Sequence, residues 1–309
     1  MNIDVVENKA LRFGVIMSVV MAFAGWITYY FSGSEATLLD GNFSFISAIA
    51  TIVAMFISKH KHEQSKIFPF GFYVFESLFV FIKGILIFGV ILVAVTQNTI
   101  KIIDFIKGEN IEPVKIDIIL IYVGAITILC FILYFYYNFM NKKIGGKSPI
   151  LKVETQSAMV DGILSLGIGV VFVCIWFIPE NSSLDFFKSI GDAIIVLIIG
   201  VLFITMPIKI IRDSFIEMGG GTIQNKSVQE FIEKAIEESI PSTIENLYNY
   251  ISKLGSSYFI AVFVASKSDQ ISSSEIDQFR KKAIDVLNAE LNNVKLEVII
   301  RNQSDIGKD

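Results

Sequence analysis

Two carboxylates stand where a carboxylate is expensive. Asp40 and Asp161 each lie inside a long apolar run and are the only charged residues in its interior. A charge near the middle of a bilayer is strongly disfavoured unless something pairs with it, so an intramembrane acid is a functional candidate by default. Each acid also has a hydroxyl one helical turn away: Ser44 follows Asp40 by four residues, and Ser157 precedes Asp161 by four. Residues four apart share a helix face. Two helices that each present an acid and a hydroxyl can build an oxygen-lined box for a desolvated cation. The plainer alternative is that each acid bonds a neighbouring helix and each serine lines a helix contact, which serines commonly do in membranes.

Other polar residues in apolar runs have two readings each. Glu154 lies three residues before Ser157 and seven before Asp161, on the same face. It is either a ligand met by the ion on its way in or an interfacial acid that snorkels. Asp192 is either a proton acceptor or an acid at the positive end of its helix. Lys83, seven residues after Glu76, needs an acidic partner or a wet cavity, and Asp40, Asp161 and Glu76 are the candidates. The two histidines lie in Lys59-His60-Lys61-His62, where lysines repel a metal ion, so a solvated loop is expected. Cys130 and Cys174 make no CxxC pair and read as small core residues.

The elements that must carry these residues follow from composition. The chain has 309 residues, 53% of them hydrophobic, with a mean hydropathy of +0.62. Charged residues are sparse before about residue 212 and dense after it, which separates a membrane part from a soluble part. Spanning the hydrocarbon takes roughly 20 apolar residues as a helix. Six runs meet that length, near 13–33, 36–58, 75–97, 116–140, 154–178 and 189–211. The first has too long an apolar core for a cleavable signal peptide. Lysines and arginines collect at Lys9 and Arg12, after run 2, after run 4 (Lys142, Lys143, Lys147, Lys152) and at Lys209 and Arg212. That bias puts both termini in the cytoplasm. The exception is the link after run 3, where Asp104, Glu109 and Glu112 offset Lys101, Lys107 and Lys115. A net charge of −4 gives no support for nucleic-acid binding.

After Met218-Gly219-Gly220-Gly221, read as a flexible joint, the pattern changes. Ser227–Ser239 predicts an amphipathic helix, Ile244–Lys253 and Tyr258–Ala265 two strands joined at Gly255-Ser256-Ser257, a second helix capped by Ser274, and Val294–Ile300 a third strand. The expected architecture is a six-helix membrane domain over residues 1–214, then an αββαβ cytoplasmic domain of α+β class over 215–309. So small a domain is marginal alone, and dimerisation would help it.

This ordered set resembles the cation diffusion facilitator family over almost the whole chain. Leu38-Leu39-Asp40-Gly41-Asn42-Phe43-Ser44 is similar to the family's Leu-x-Asp-x-x-x-Asp, and Pro69-Phe70-Gly71-Phe72-Tyr73-Val74-Phe75-Glu76 to its turn before span 3. Val153 to Asp161 is similar to its Ala-Asp-x-x-His-x-x-x-Asp, and Gly191-Asp192 to the acid opening its last span. The resemblance implies a ferredoxin-like or metallochaperone-like tail and a homodimer. It also implies divalent metal efflux from the cytoplasm by alternating access, with protons as counter-ion. The membrane is expected to be the plasma membrane, with no cofactor beyond the transported cation and no enzymatic activity. Carried over by position, the metal site is Asp40, Ser44, Ser157 and Asp161.

Three departures bear on the substrate. The family's second acid in span 2 is Ser44 here, its span 5 histidine is Ser157, and the histidine of its turn motif is Phe72. The tail has neither histidine nor cysteine, so the usual regulatory zinc sites have no ligands there. Zinc favours nitrogen and sulfur, whereas an all-oxygen set suits Mn²⁺ or Mg²⁺, with Fe²⁺ next. Three rival readings stand beside this one, one of them a site that carries a monovalent cation. Ser189-Ile190-Gly191-Asp192 partly matches an intramembrane aspartyl protease motif but lacks its first glycine. A transport-deficient scaffold that answers to metal is the stronger rival, given the two serines. Glu245, Asp269, Glu275 and Asp277 in the tail read as ordinary solvated surface.

Overall fold

The computed structural model describes residues 3–32, 35–69, 71–108, 116–176, 186–266, 272–291 and 293–301. Phe70, Glu109, Glu112, Lys115 and Asp269 fall outside these residues, as do the side chains of Leu39, Ser189 and Asp192. The chain forms two compact units, one of residues 1–61 and 79–212, the other of residues 62–78 and 213–309. The second unit is therefore discontinuous in sequence. It takes in a segment from between the apolar runs that a linear division at residue 214 leaves with the membrane part.

The first unit is helical. Its elements are α1 (Ile3–Ser32), α2 (Glu35–His60), most of α3 (Val74–Ile106), α4 (Ile116–Lys143), α5 (Pro149–Trp176), α6 (Phe186–Phe203) and the first half of α7 (Thr205–Met218). Local chemistry sets the boundaries. The Ser148 hydroxyl accepts a hydrogen bond from the Leu151 backbone N–H at 3.0 Å, and Pro149 occupies the first turn, which needs no N–H donor. Within the unit α1 packs on α2, α4 on α5, α1 on α4 and α5 on α6. Leu11, Ile91, Ile126, Leu133, Ile150 and Leu151 are among its buried residues. Among the described residues, four helical segments are long and apolar enough to cross a membrane: Ile3–Ser32, Asp40–His60, Val74–Ile106 and Ile118–Lys143. The first half of α5 carries Lys152, Glu154 and Asp161.

The second unit contains the αββαβ order: α8 (Lys226–Glu237), β1 (Ile244–Leu254), β2 (Ser257–Ser266), α9 (Ser273–Glu290) and β3 (Val294–Ile300). The sheet order is β1-β2-β3, with β1 antiparallel to β2 and β2 parallel to β3. A tight hairpin makes the first pairing, and a parallel neighbour requires a crossover, which α9 supplies. Ile232 and Ile236 of α8 and Phe279, Ala283 and Leu287 of α9 close over Ile244, Val262, Val264 and Leu296 of the sheet. Two local expectations change. The residue at the cap position of α9 is Ser272 rather than Ser274, so the helix starts earlier. Gly219–Gly221 is a hydrogen-bonded helix end rather than a loose joint: the Gly221 N–H reaches the Ile216 carbonyl at 2.9 Å, and Gly220 takes φ +71.

Candidate cation site in the helical unit

The position of Asp40 begins with two glycines. A Cβ placed on Gly25 of α1 would lie 2.6 Å from the Gly41 Cα of α2, so only glycine allows the two backbones to meet there. Trp26 Nε1 donates to Asn42 Oδ1 at 3.0 Å across the same contact. Asp40, one residue before Gly41, accepts a hydrogen bond from the Tyr122 hydroxyl of α4 at 2.5 Å. Asp40 and Ser44 are half-buried on α2.

The second acid is placed by α5. A Cβ on Gly162 would lie 3.2 Å from Cys130 Cβ, so α4 and α5 pack closely at the residue after Asp161. Ser157 is nearly buried and Asp161 is exposed. Asp161 is within electrostatic reach of Lys83, Asp40 and Glu154, on α3, α2 and α5. The structure thus brings the two acids into one electrostatic neighbourhood, and each serine stands one turn from its acid on the same helix. Cys130 is buried within reach of both acids, its sulfur 3.9 Å from Met21 Sδ. Among the described residues no group of three or more His, Cys, Asp or Glu side chains converges closely enough to hold a metal ion.

Next to these acids lies a polar cluster that the sequence reading resolved incorrectly. The partner of Lys83 is not Asp40, Asp161 or Glu76 but Glu154: Lys83 Nζ lies 3.3 Å from Glu154 Oε2, with the two side chains 3% and 4% exposed. Lys83 also donates to the Ser47 hydroxyl of α2 at 3.1 Å, and Thr51 of α2 donates to Glu154 Oε1 over a longer 3.5 Å. Glu154 therefore does not snorkel. It is a buried anion held by an ammonium and a hydroxyl from two other helices. A buried pair of this kind contributes little net stability, yet losing one partner alone costs about 3–5 kcal/mol.

The basic loop after α2 is likewise not wholly solvated. Lys61 is 1% exposed, with Nζ 3.3 Å from both Asp4 Oδ1 and Glu7 Oε1 of α1. His60 Nδ1 lies 2.8 Å from the Phe56 carbonyl.

In the second unit Glu76 has a different role from the one considered for it. Its Oε2 accepts from the Ser256 backbone N–H at 2.7 Å and from the Ser256 hydroxyl at 2.6 Å. Ser77 Oγ accepts from the Gly255 N–H at 2.7 Å and donates to Glu217 at 3.0 Å, and Glu217 pairs with Lys253 at 3.0 Å. Burial, the largest single influence, would lower the pKa of Lys253, but the adjacent Glu217 carboxylate together with Tyr258 and Glu76 outweighs it and the net shift is upward. His62 and Tyr73 share a hydrogen bond of 2.6 Å.

Tyr122, Ser47 and Thr51 were not singled out from the sequence. The only usable signal was that a tyrosine or threonine inside an apolar run must find a partner for its hydroxyl. A search of curated proteins gives no match. A family described as Cation efflux transmembrane domain matches residues 11–218, about two thirds of the chain. With that match, and four segments among the described residues long and apolar enough to cross a membrane, the chain belongs to the cation efflux family, the cation diffusion facilitators, and is a multi-pass membrane protein of metal cation efflux.

Proposed function

We propose that the protein exports a divalent metal cation through a site made of Asp40, Ser44, Ser157 and Asp161. The observation that carries this reading is an acid with a hydroxyl one turn away on each of two helices, α2 and α5, within the residues that match the family. The Thr51–Glu154 contact supports it by tying the same two helices together. Seven residues from Thr51 toward the start of α2 is Ser44, and seven from Glu154 toward the end of α5 is Asp161. Both steps are two turns, about 10.5 Å. With α2 and α5 antiparallel, as six spans require, the acid and the hydroxyl come level.

In this reading six helices cross the plasma membrane with both termini in the cytoplasm. The protein works as a homodimer by alternating access, exchanges metal for protons, and is not an enzyme. The two carboxylates match the charge of one dication. Their oxygen-only company favours Mn²⁺, Fe²⁺ and Mg²⁺ over Zn²⁺. Purified protein in liposomes should move Mn²⁺, and Asp40→Asn and Asp161→Asn should each abolish that flux while the protein stays folded. A folded protein that moves no metal would instead be the scaffold that the two serines also fit.

A further inference from the structure

We propose that Lys83 is a tethered cation that competes with the transported metal for Asp161, and that Glu154 sets how strongly it competes. The inference rests on the reading that Asp40 and Asp161 hold the transported ion. It starts from a residue that this reading leaves unused, an ammonium buried beside a cation site.

Lys83 has two anchors on two other helices, Glu154 Oε2 at 3.3 Å and Ser47 Oγ at 3.1 Å. Glu154 lies two turns from Asp161 on the same helix, and Ser47 lies seven residues from Asp40. Lys83, Asp40 and Glu154 are the charged groups within electrostatic reach of Asp161. Lysine carries its charge on a flexible four-carbon stem and offers three rotatable donors, so its ammonium can move between acids on one face. Asp40, Asp161 and Glu154 with one ammonium leave two uncompensated negative charges, which one dication neutralises. When the metal is bound, Lys83 is held at Glu154 and Ser47. When the metal leaves, the same ammonium leans toward Asp161 and offsets the charge exposed there. In this way the emptied site does not have to carry two bare carboxylates. Glu154 is thus a positioning residue that acts through Lys83.

The test is Mn²⁺ binding by calorimetry on the full-length protein in detergent, with thermal unfolding as the check of folding. Glu154→Gln keeps the shape but frees Lys83 to pair with Asp161, and Mn²⁺ affinity should fall about tenfold. Adding Lys83→Met to that variant removes the competitor, and affinity should exceed the wild-type value. A purely structural role for the pair cannot give that recovery. Glu154→Gln binding as wild type does, or a double variant no tighter than Glu154→Gln, overturns the proposal. Should Glu154→Gln not fold, the double variant is compared with wild type, and its affinity must rise; an unchanged affinity overturns the proposal. Wild-type binding that Asp161→Asn does not reduce would remove the site reading itself. Wild-type binding lost in Asp161→Asn but indifferent to Glu154→Gln removes the tethered cation alone.

Discussion

The Tyr122 hydroxyl donates to Asp40 Oδ2 at 2.5 Å, from α4 to α2. This short bond orients one carboxylate oxygen, and on the proposed site the other is left for the ion. Groups that orient a metal-binding carboxylate matter almost as much as the carboxylate itself. Tyr122→Phe should therefore weaken Mn²⁺ binding by about 10–100-fold without unfolding the protein. Calorimetry on the purified variant checks this, and wild-type affinity would mean that Tyr122 only fills space.

Serine at positions 44 and 157 is the basis of the predicted metal preference. Ser157→His places a nitrogen donor one turn from Asp161, and nitrogen suits zinc better than manganese. Zn²⁺ affinity should rise relative to Mn²⁺ in this variant, read from competition binding with the two metals. An unchanged ratio would place position 157 away from the ion.

Much of the architecture was legible because periodicity is local. Val294–Ile300 matches β3 residue for residue, and the αββαβ order follows the predicted sequence of elements. The acids of the candidate site stood out as charges in apolar runs. What was not legible depends on pairing at long range. Lys83 and Glu154 are 71 residues apart and Tyr122 and Asp40 are 82 apart. No spacing rule selects Glu154 over Asp40, Asp161 or Glu76 as the partner of a buried lysine. The inward turn of Lys61 was hidden in the same way, because a run of basic residues looks solvated until Asp4 and Glu7 of another helix close over it.

Gly255 makes the β1–β2 hairpin turn with φ +59, and a Cβ there would lie 2.5 Å from Glu76 Oε2 and 2.6 Å from the Tyr73 carbonyl. Gly255→Ala faces both a disfavoured backbone conformation and a collision. We expect a loss of about 1–3 kcal/mol, visible as a lower unfolding temperature of the detergent-purified protein. Ser256→Ala, which removes only the hydroxyl donor to Glu76, should cost less.

The Lys253–Glu217 pair fixes a pH dependence. The folded pKa of Lys253 is raised above the ordinary value of 10.5, so its contribution to stability is complete below that value and is lost as pH rises through the folded one. An amine-reactive probe applied across this range should label exposed lysines such as Lys234 before Lys253, as mass spectrometry of the digested protein can show. Glu217→Gln should bring Lys253 labelling to lower pH, and equal labelling profiles would contradict the pairing.

The most direct measurement is metal flux into liposomes containing the purified protein, comparing Mn²⁺, Fe²⁺, Mg²⁺ and Zn²⁺, with Asp161→Ala alongside. We expect Mn²⁺, Fe²⁺ or Mg²⁺ flux that exceeds Zn²⁺ flux and is absent in Asp161→Ala. Zn²⁺ as the preferred ion would contradict the oxygen-site argument, and flux that survives in Asp161→Ala would contradict the placement of the site between α2 and α5.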